Sequence, residues 1–331
     1  MILIGSIELK SQTFAPCVRS VKIFRSLPVL PRFESEQEHS QGIALALGNF
    51  DGVHIGHQAM MRQVCEAAGD LALIPSVLTF QPSPREYFMK ERAPHKLLSL
   101  RAKLAQIERT EIERVYLLRF DERLAQMSAE TFADVFLAQM MRVRWLLISA
   151  EASFGKDKRG NLAFLRAREN AFVVEEMMPV MHDGHRVSST AVRQALLNND
   201  FVKAAQLLGR PYSIDGRVRH GDQRGRAMGF PTLNLVLTTQ PVSGVFAVRV
   251  HGLGHVRHGV ASVGVRPTVK KNGDAPSVLE VHLFDFDEDV YGRMVDVEFV
   301  HYIREEKRFA SVDALIEQIK RDAQQARAIL Q

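Results

Sequence analysis

Two textures divide this chain, and the change between them falls near residue 210. Before it, short apolar runs alternate with stretches of helical spacing. Ile43–Leu47 is apolar throughout, as a strand buried on both faces must be. It leads into Gly48-Asn-Phe-Asp-Gly52, and residues 57–68 then read as a helix stopped by Gly69. Val77–Phe80, Val115–Phe120, Trp145–Ser149 and Phe172–Glu175 repeat the strand pattern. Helices are expected over 99–110 and 128–141, opened by Ser99 and Ser128 as N-caps. This repetition predicts an α/β unit, a doubly wound parallel sheet that binds ligands at the carboxyl ends of its strands.

Beyond residue 210, alternating runs fall at 212–220, 231–237, 244–252, 255–265, 278–286 and 293–303, with turn signals at Asn272-Gly273 and Tyr291-Gly292. Six short strands with little helix between them predict an antiparallel β-barrel. From Ser311 onward, Val312, Leu315, Ile316, Ile319, Ala323 and Ala326 recur at helical spacing and predict one long packing helix. The expected organisation is an extension and lead-in loop over 1–40, an α/β domain over 41–208 and a barrel domain over 209–331. The join lies at Leu208-Gly-Arg-Pro211.

A length of 331 residues, 46% of them hydrophobic, suits two cores better than one. The net charge of +5 suits polyanionic partners. Phosphorylated small molecules and nucleic acid both meet that description, but no dense basic run marks a nucleic-acid tail. Cys17 and Cys65 have no metal-ligand spacing and fit a reducing compartment. No apolar run approaches the roughly 20 residues that span a bilayer. No continuous apolar core of a secretory leader lies between Met1 and Pro31. A cytoplasmic protein with no membrane or nucleic-acid partner is expected.

His54 and His57 bracket Ile-Gly at the passage from strand to helix. Gly56 lets backbone approach closely, and the helix N-terminus adds unpaired N–H groups and a favourable dipole. Such a place can stabilise charge developing on a nucleotide α-phosphate and on departing pyrophosphate. The plainer alternative is two ordinary residues of a loop and a helix start. The string Gly48-Asn-Phe-Asp-Gly-Val-His-Ile-Gly-His-Gln58 resembles the HxGH nucleotidyltransferases, and more narrowly the bacterial bifunctional riboflavin kinase/FAD synthetases. Thr79-Phe-Gln-Pro-Ser-Pro84 and Ser188-Ser-Thr190 with Arg193 extend the likeness. It implies a Rossmann-like nucleotidyltransferase domain that adenylylates FMN to FAD with release of pyrophosphate. It also implies catalytic roles for His54 and His57, with nucleotide binding by Gly48, Asn49, Phe50, Asp51, Gly56, Ser188, Ser189, Thr190 and Arg193. Without the likeness, Ser189 or Thr190 reads as a helix N-cap. The chain departs from the pattern twice. Ser149-Ala-Glu-Ala-Ser-Phe-Gly155 keeps only Glu151, Phe154 and Gly155 of an acidic, aromatic stretch, and Ala191 stands where arginine is usual. Lys156, Lys158 and Arg159 lie nearby in sequence.

In the second half, Gly221, Gly225 and Gly229 recur at four-residue spacing, interleaved with Arg224 and Arg226. Such a loop either cradles phosphates or is a plain flexible hairpin. It lacks the Gly-Lys-Ser/Thr ending of a Walker A loop. Thr232 and Asn234 lie two apart on a strand and so share a side, where two hard oxygen donors suit Mg²⁺. Along Leu279–Phe286, Val281 and Leu283 share one face while Glu280 shares the other with His282 and Phe284. Glu280 is either a surface carboxylate or a base for a substrate hydroxyl.

Five stretches follow the riboflavin kinase pattern in order: Leu208-Gly-Arg-Pro-Tyr212, Gly225-x-x-x-Gly229-Phe-Pro-Thr-x-Asn234, Gly264-Val-Arg-Pro-Thr268, Leu279-Glu-Val-His282 and Asp289-Val-Tyr-Gly292. This resemblance implies phosphorylation of riboflavin to FMN, with Glu280 as base and Thr232 and Asn234 holding Mg²⁺. Gly225, Gly229, Pro231, Thr232 and Asn234 would bind nucleotide, and ATP, riboflavin and FMN would be the partners. Arg304, Lys307 and Phe309 also match, without an assigned role. The likeness spans roughly residues 21–330. Two other readings stay open: a riboflavin kinase whose first domain adenylylates poorly, and a flavin- or nucleotide-binding regulator without turnover.

Overall fold

The strand–helix alternation before residue 208 and the strand alternation after it become two separate sheets. The structure is a computed structural model that describes residues 21–25, 41–168, 172–221, 225, 228–237, 241–265 and 277–331. Arg224, Arg226, Arg266–Thr268, the Asn272-Gly273 turn and most of the 1–40 extension lie outside the described residues.

The first sheet contains β1 (Lys22–Phe24), β2 (Ile43–Leu47), β3 (Ile74–Phe80), β4 (Arg114–Leu118), β5 (Val143–Ser149) and β6 (Val173–Met177). Its order is β1-β4-β3-β2-β5-β6, and every pairing is parallel. Between the strands run α1 (Ile55–Asp70), α2 (Pro84–Met89), α3 (Leu100–Glu108), α4 (Glu122–Ala125), a π-helical segment Thr131–Met140 and α5 (Leu162–Arg166). Apolar layers cover both faces, one around Phe136, Leu146 and Ile148, the other around Phe50, Met61 and Val115. Because β2 has β3 on one side and β5 on the other, its carboxyl end opens where the strand order reverses. Gly48–His57 follows directly.

The helix caps behave as the residue types dictate. Ser99 Oγ accepts the Ala102 N–H at 3.0 Å, and Ser128 Oγ accepts that of Thr131 at 3.1 Å. Two expectations need correction. The lead-in over 1–40 contains strand β1, which borrows its register from β4 by pairing Lys22 with Arg114. Three residues at a sheet edge are too few to show a period. Gly69 does not stop α1, which runs on to Asp70; a side chain at Gly69 would meet nothing within 4 Å.

A small hairpin, β7 (Met181–His182) with β8 (His185–Arg186), leads into α6 (Ser189–Leu197) and α7 (Phe201–Leu208). The second sheet follows: β9 (Ser213–Arg217), β10 (Leu233–Leu237), β11 (Gly244–His251), β12 (Arg257–Val265), β13 (Ser277–Leu283) and β14 (Met294–Arg304). Its order is β10-β13-β12-β11-β14-β9, antiparallel throughout. A bridge between Arg219 and Asn234 brings its two edges together as a nearly closed barrel. Leu235, Phe246, Val263, Val281 and Val297 fill the inside. The same core takes in Val192, Leu196, Phe201 and Leu207 from α6 and α7, and Phe201 meets Phe246 edge-on at 5.8 Å.

The terminal helix α8 (Val312–Leu330) packs Ala326 and Leu330 outside the barrel, over β11 and β12. Its expected packing face is right along its length but wrong at its start, where Val312 stays exposed beyond the sheet. Asp322 is buried instead, because Arg304 donates to both its carboxylate oxygens.

Candidate active sites

The loop after β2 turns sharply, with φ of 48° at Phe50, 86° at Gly52 and 41° at Val53. His54 caps α1, its Nδ1 accepting the His57 N–H at 3.3 Å. The two imidazoles stack at 3.6 Å between centroids. Phe50 is wholly buried and meets His57 edge-on at 5.3 Å, so its ring supports the histidine from the core. Gly56 lies against the His54 ring, where a Cβ would sit 3.2 Å from it. Burial pushes His54 down to about 4, and burial with the neighbouring His54 pushes His57 well below its usual range. Both are therefore neutral near pH 7. The His57 Nδ1 is buried without a hydrogen-bond partner among the described residues. Such an atom costs desolvation until something bonds it.

Asp51, Ser189 and Arg193 tie this loop to its surroundings. The Asp51 carboxylate accepts the Leu97 N–H at 3.0 Å and pairs with the Arg193 guanidinium. Arg193 Nε also donates to the His95 carbonyl at 2.6 Å, and Ser189 Oγ donates to the Asp51 carbonyl at 2.8 Å. Burial raises the Asp51 carboxyl against the opposing pull of Arg193. Beneath the loop, the buried Lys103 Nζ donates to the Asn49 carbonyl at 2.9 Å, and Thr79 Oγ1 donates to the same oxygen at 3.2 Å. Sequence reasoning passed over Lys103, whose only signal is a cation on a helix face that has to be covered.

Ser188, rather than Ser189 or Thr190, is the N-cap of α6; its Oγ accepts the Ala191 N–H at 3.1 Å. Ser189 is already committed to Asp51, and that bond fixes where the helix begins. Thr190 is exposed in the first turn. In the divergent stretch, Glu151 pairs with Arg186, and Phe154 joins Phe132 and Phe164 in an aromatic cluster. Lys156, Lys158 and Arg159 are exposed at a nearby turn.

The second site lies across three strands. Register places Asn234 of β10 opposite Glu280 of β13, and Glu280 opposite Ser262 of β12. Leu279, Val281 and Leu283 point into the barrel core, so Glu280 and Asn234 share its outer face. Asn234 is buried and donates Nδ2 to the Thr232 carbonyl at 3.2 Å. The glycine loop closes over both residues: a side chain on Gly221 would collide with the Asn234 amide, and one on Gly225 would touch Thr232. Gly229, at φ 82°, turns the chain into Phe230-Pro231, and His282 Nδ1 lies 3.0 Å from the Pro231 carbonyl. Sequence reasoning missed Glu306, whose carboxylate rests on Gly264, two residues along β12 from Ser262. Burial and nearby Glu280 raise its pKa.

Comparison with known proteins agrees with this division. A family model described as FAD synthetase matches residues 36–191, and one described as riboflavin kinase matches residues 208–330. The bifunctional riboflavin kinase/FMN adenylyltransferase of Haemophilus influenzae is 44% identical over 87% of this chain and 94% of its own length. That of Escherichia coli K12 is 41% identical over 88% and 94%, and that of Bacillus subtilis 35% over 89% and 95%. A crystal structure named as a macrolide-efflux protein from Streptococcus pneumoniae superposes with a TM-score of 0.71 at 32% identity, covering 86% of this chain and 94% of that one. In this chain, no described helix is long and apolar enough to cross a membrane. With such identity over nearly the whole length of its relatives, the chain belongs to the bifunctional riboflavin kinase/FMN adenylyltransferase family.

Proposed function

We infer that the barrel phosphorylates riboflavin to FMN and that the parallel sheet, with the histidine loop, adenylylates FMN to FAD, both with ATP. The observation that supports this reading is two separate polar clusters in one chain: Asn234 opposite Glu280 on one sheet, and stacked His54 and His57 at the switch point of the other.

At the barrel, Glu280 accepts the proton of the terminal ribityl hydroxyl as that oxygen attacks the γ-phosphorus in line and ADP leaves. The glycine loop, through Gly225 and Gly229, and Pro231 hold the nucleotide over Thr232 and Asn234. The Asn234 amide nitrogen is committed to the Thr232 carbonyl, which leaves the amide oxygen, with the Thr232 hydroxyl, as a hard donor set that fits Mg²⁺. Mg²⁺ bound with ATP would neutralise charge on the phosphates. Among the described residues no three His, Cys, Asp or Glu side chains cluster to hold a metal.

At the sheet, an FMN phosphate oxygen attacks the α-phosphorus of ATP and pyrophosphate departs, without a covalent enzyme intermediate. Neutral His54 and His57 donate ring N–H bonds to phosphate oxygens. The backbone of Gly48–Asp51 and Gly56 lines the nucleotide beside Ser188, Ser189 and Thr190, while Arg193 sets the loop through Asp51. The domains that carry the two reactions are 41–208 and 209–331, in a cytoplasmic enzyme whose partners are these small molecules.

Purified protein with riboflavin, ATP and Mg²⁺, followed by chromatography, is expected to yield FMN first and FAD after it. FMN accumulating alone would restrict the enzyme to kinase activity. Neither product would refute both assignments.

A further inference from the structure

The junction between sheet and barrel is hydrogen-bonded to the loop that carries the histidines, and we propose that Arg210 is a positioning residue for adenylyl transfer. This rests on the assignment of His54 and His57 to that reaction.

Three residues of the loop adopt positive φ within four positions, one of them the β-branched Val53. Backbone of this kind persists only where its surroundings over-determine it. Arg210 supplies part of that surrounding at the two residues just before His54. Its Nη2 donates to the Gly52 carbonyl at 2.7 Å, and its Nη1 donates to the carbonyls of Val53 at 3.2 Å and Leu208 at 3.3 Å. One planar guanidinium thus holds the two peptide oxygens immediately before His54, a geometry that a lysine ammonium does not reproduce. Gln58, in the first turn of α1, closes the arrangement by donating Nε2 to Val53 and Leu208, both at 2.9 Å. Gly209, at φ 72°, lies so near α1 that a side chain on it would press on Ile55 and Gln58.

On its other side, Arg210 is three residues from β9, the first barrel strand. That strand is itself anchored to the sheet by Ser99 Oγ, which donates to Asp215 at 2.7 Å. The seating of the barrel therefore reaches the histidine loop through Arg210. Its guanidinium is occupied by backbone oxygens and touches no reacting atom, so its effect falls on the geometry of His54 and His57.

The test uses the full chain. In Arg210→Ala, FAD formation from supplied FMN at saturating ATP is expected to fall about 10- to 100-fold, while riboflavin phosphorylation stays within about twofold. Arg210→Lys is expected to recover only part of the loss. Amide exchange followed by mass spectrometry is expected to speed up over residues 50–58 in Arg210→Ala and to stay unchanged in β11–β13. Unchanged FAD formation overturns the proposal. So does a parallel loss of both activities with a lowered thermal midpoint, which marks a general structural role. If the wild-type chain makes FMN but no FAD, the adenylyl-transfer assignment itself fails. The exchange measurement then decides alone: faster exchange at 50–58 supports the positioning of the loop by Arg210, and unchanged exchange overturns it.

Discussion

The two candidate sites are organised in opposite ways. At the sheet, one turn of chain supplies both histidines, and buried side chains hold that turn from beneath: Phe50, Lys103 and the Asp51–Arg193 pair. At the barrel, the groups come from different strands and lie on the outer face, aligned across the sheet by the hydrogen-bond ladder. The first site is preorganised by burial, whose cost shows in two histidines driven neutral and a ring nitrogen left unbonded. The second is preorganised by register, with Gly221 and Gly225 packed against Asn234 and Thr232.

Breaking one site should therefore leave the other intact. The largest effect is expected for Glu280→Gln, which removes the proposed base and should lower riboflavin phosphorylation about 10²–10⁴-fold. FAD formation from supplied FMN should be unchanged in the same preparation. Next, His57→Ala should lower FAD formation about 10²–10³-fold, the usual consequence of losing a transition-state donor, with FMN production retained.

A third measurement sharpens the contrast in burial. His54 has a folded pKa of about 4 against 6.5 for an unperturbed histidine. As pH falls below 6.5 the unfolded chain takes up the proton first, so this stabilisation is complete above 6.5 and is lost on the way to 4. Urea titrations across that window should lose up to about 1.4 kcal/mol per pH unit from this group, and His54→Asn should flatten the slope by that amount. No comparable flattening is expected from Asn234→Ala. The smallest effect is expected for Gly264→Ala, which displaces the Glu306 carboxylate. Initial rates of riboflavin phosphorylation should fall about threefold, equivalent to about 0.7 kcal/mol, with FAD formation unaltered.

What could be read in the sequence follows the same divide. His54 and His57 were legible because the pair falls within one short run between an apolar strand and the helix that follows, although distant residues such as Arg193 and Arg210 hold that run in place. The faces of β13 were legible from alternation, but the pairing of Glu280 with Asn234 was not, since period alone does not set register. Buried charges were hidden for a related reason. Lys103 meets its acceptor 54 residues away and Asp322 meets Arg304 18 residues away, and neither separation leaves a local mark. Ser188, Ser189 and Thr190 are all eligible caps, and only the Ser189–Asp51 bond selects among them. Strand β1 is too short to have a pattern at all.

The helices that bring Ser189 and Arg193 to Asp51 of the histidine loop also pack Val192, Leu196, Phe201 and Leu207 into the barrel's core. Unfolding α6 and α7 would take side chains from the barrel's core and, with Ser189 and Arg193, contacts from Asp51 at once. Mutations that melt this helical pair should therefore weaken both reactions together.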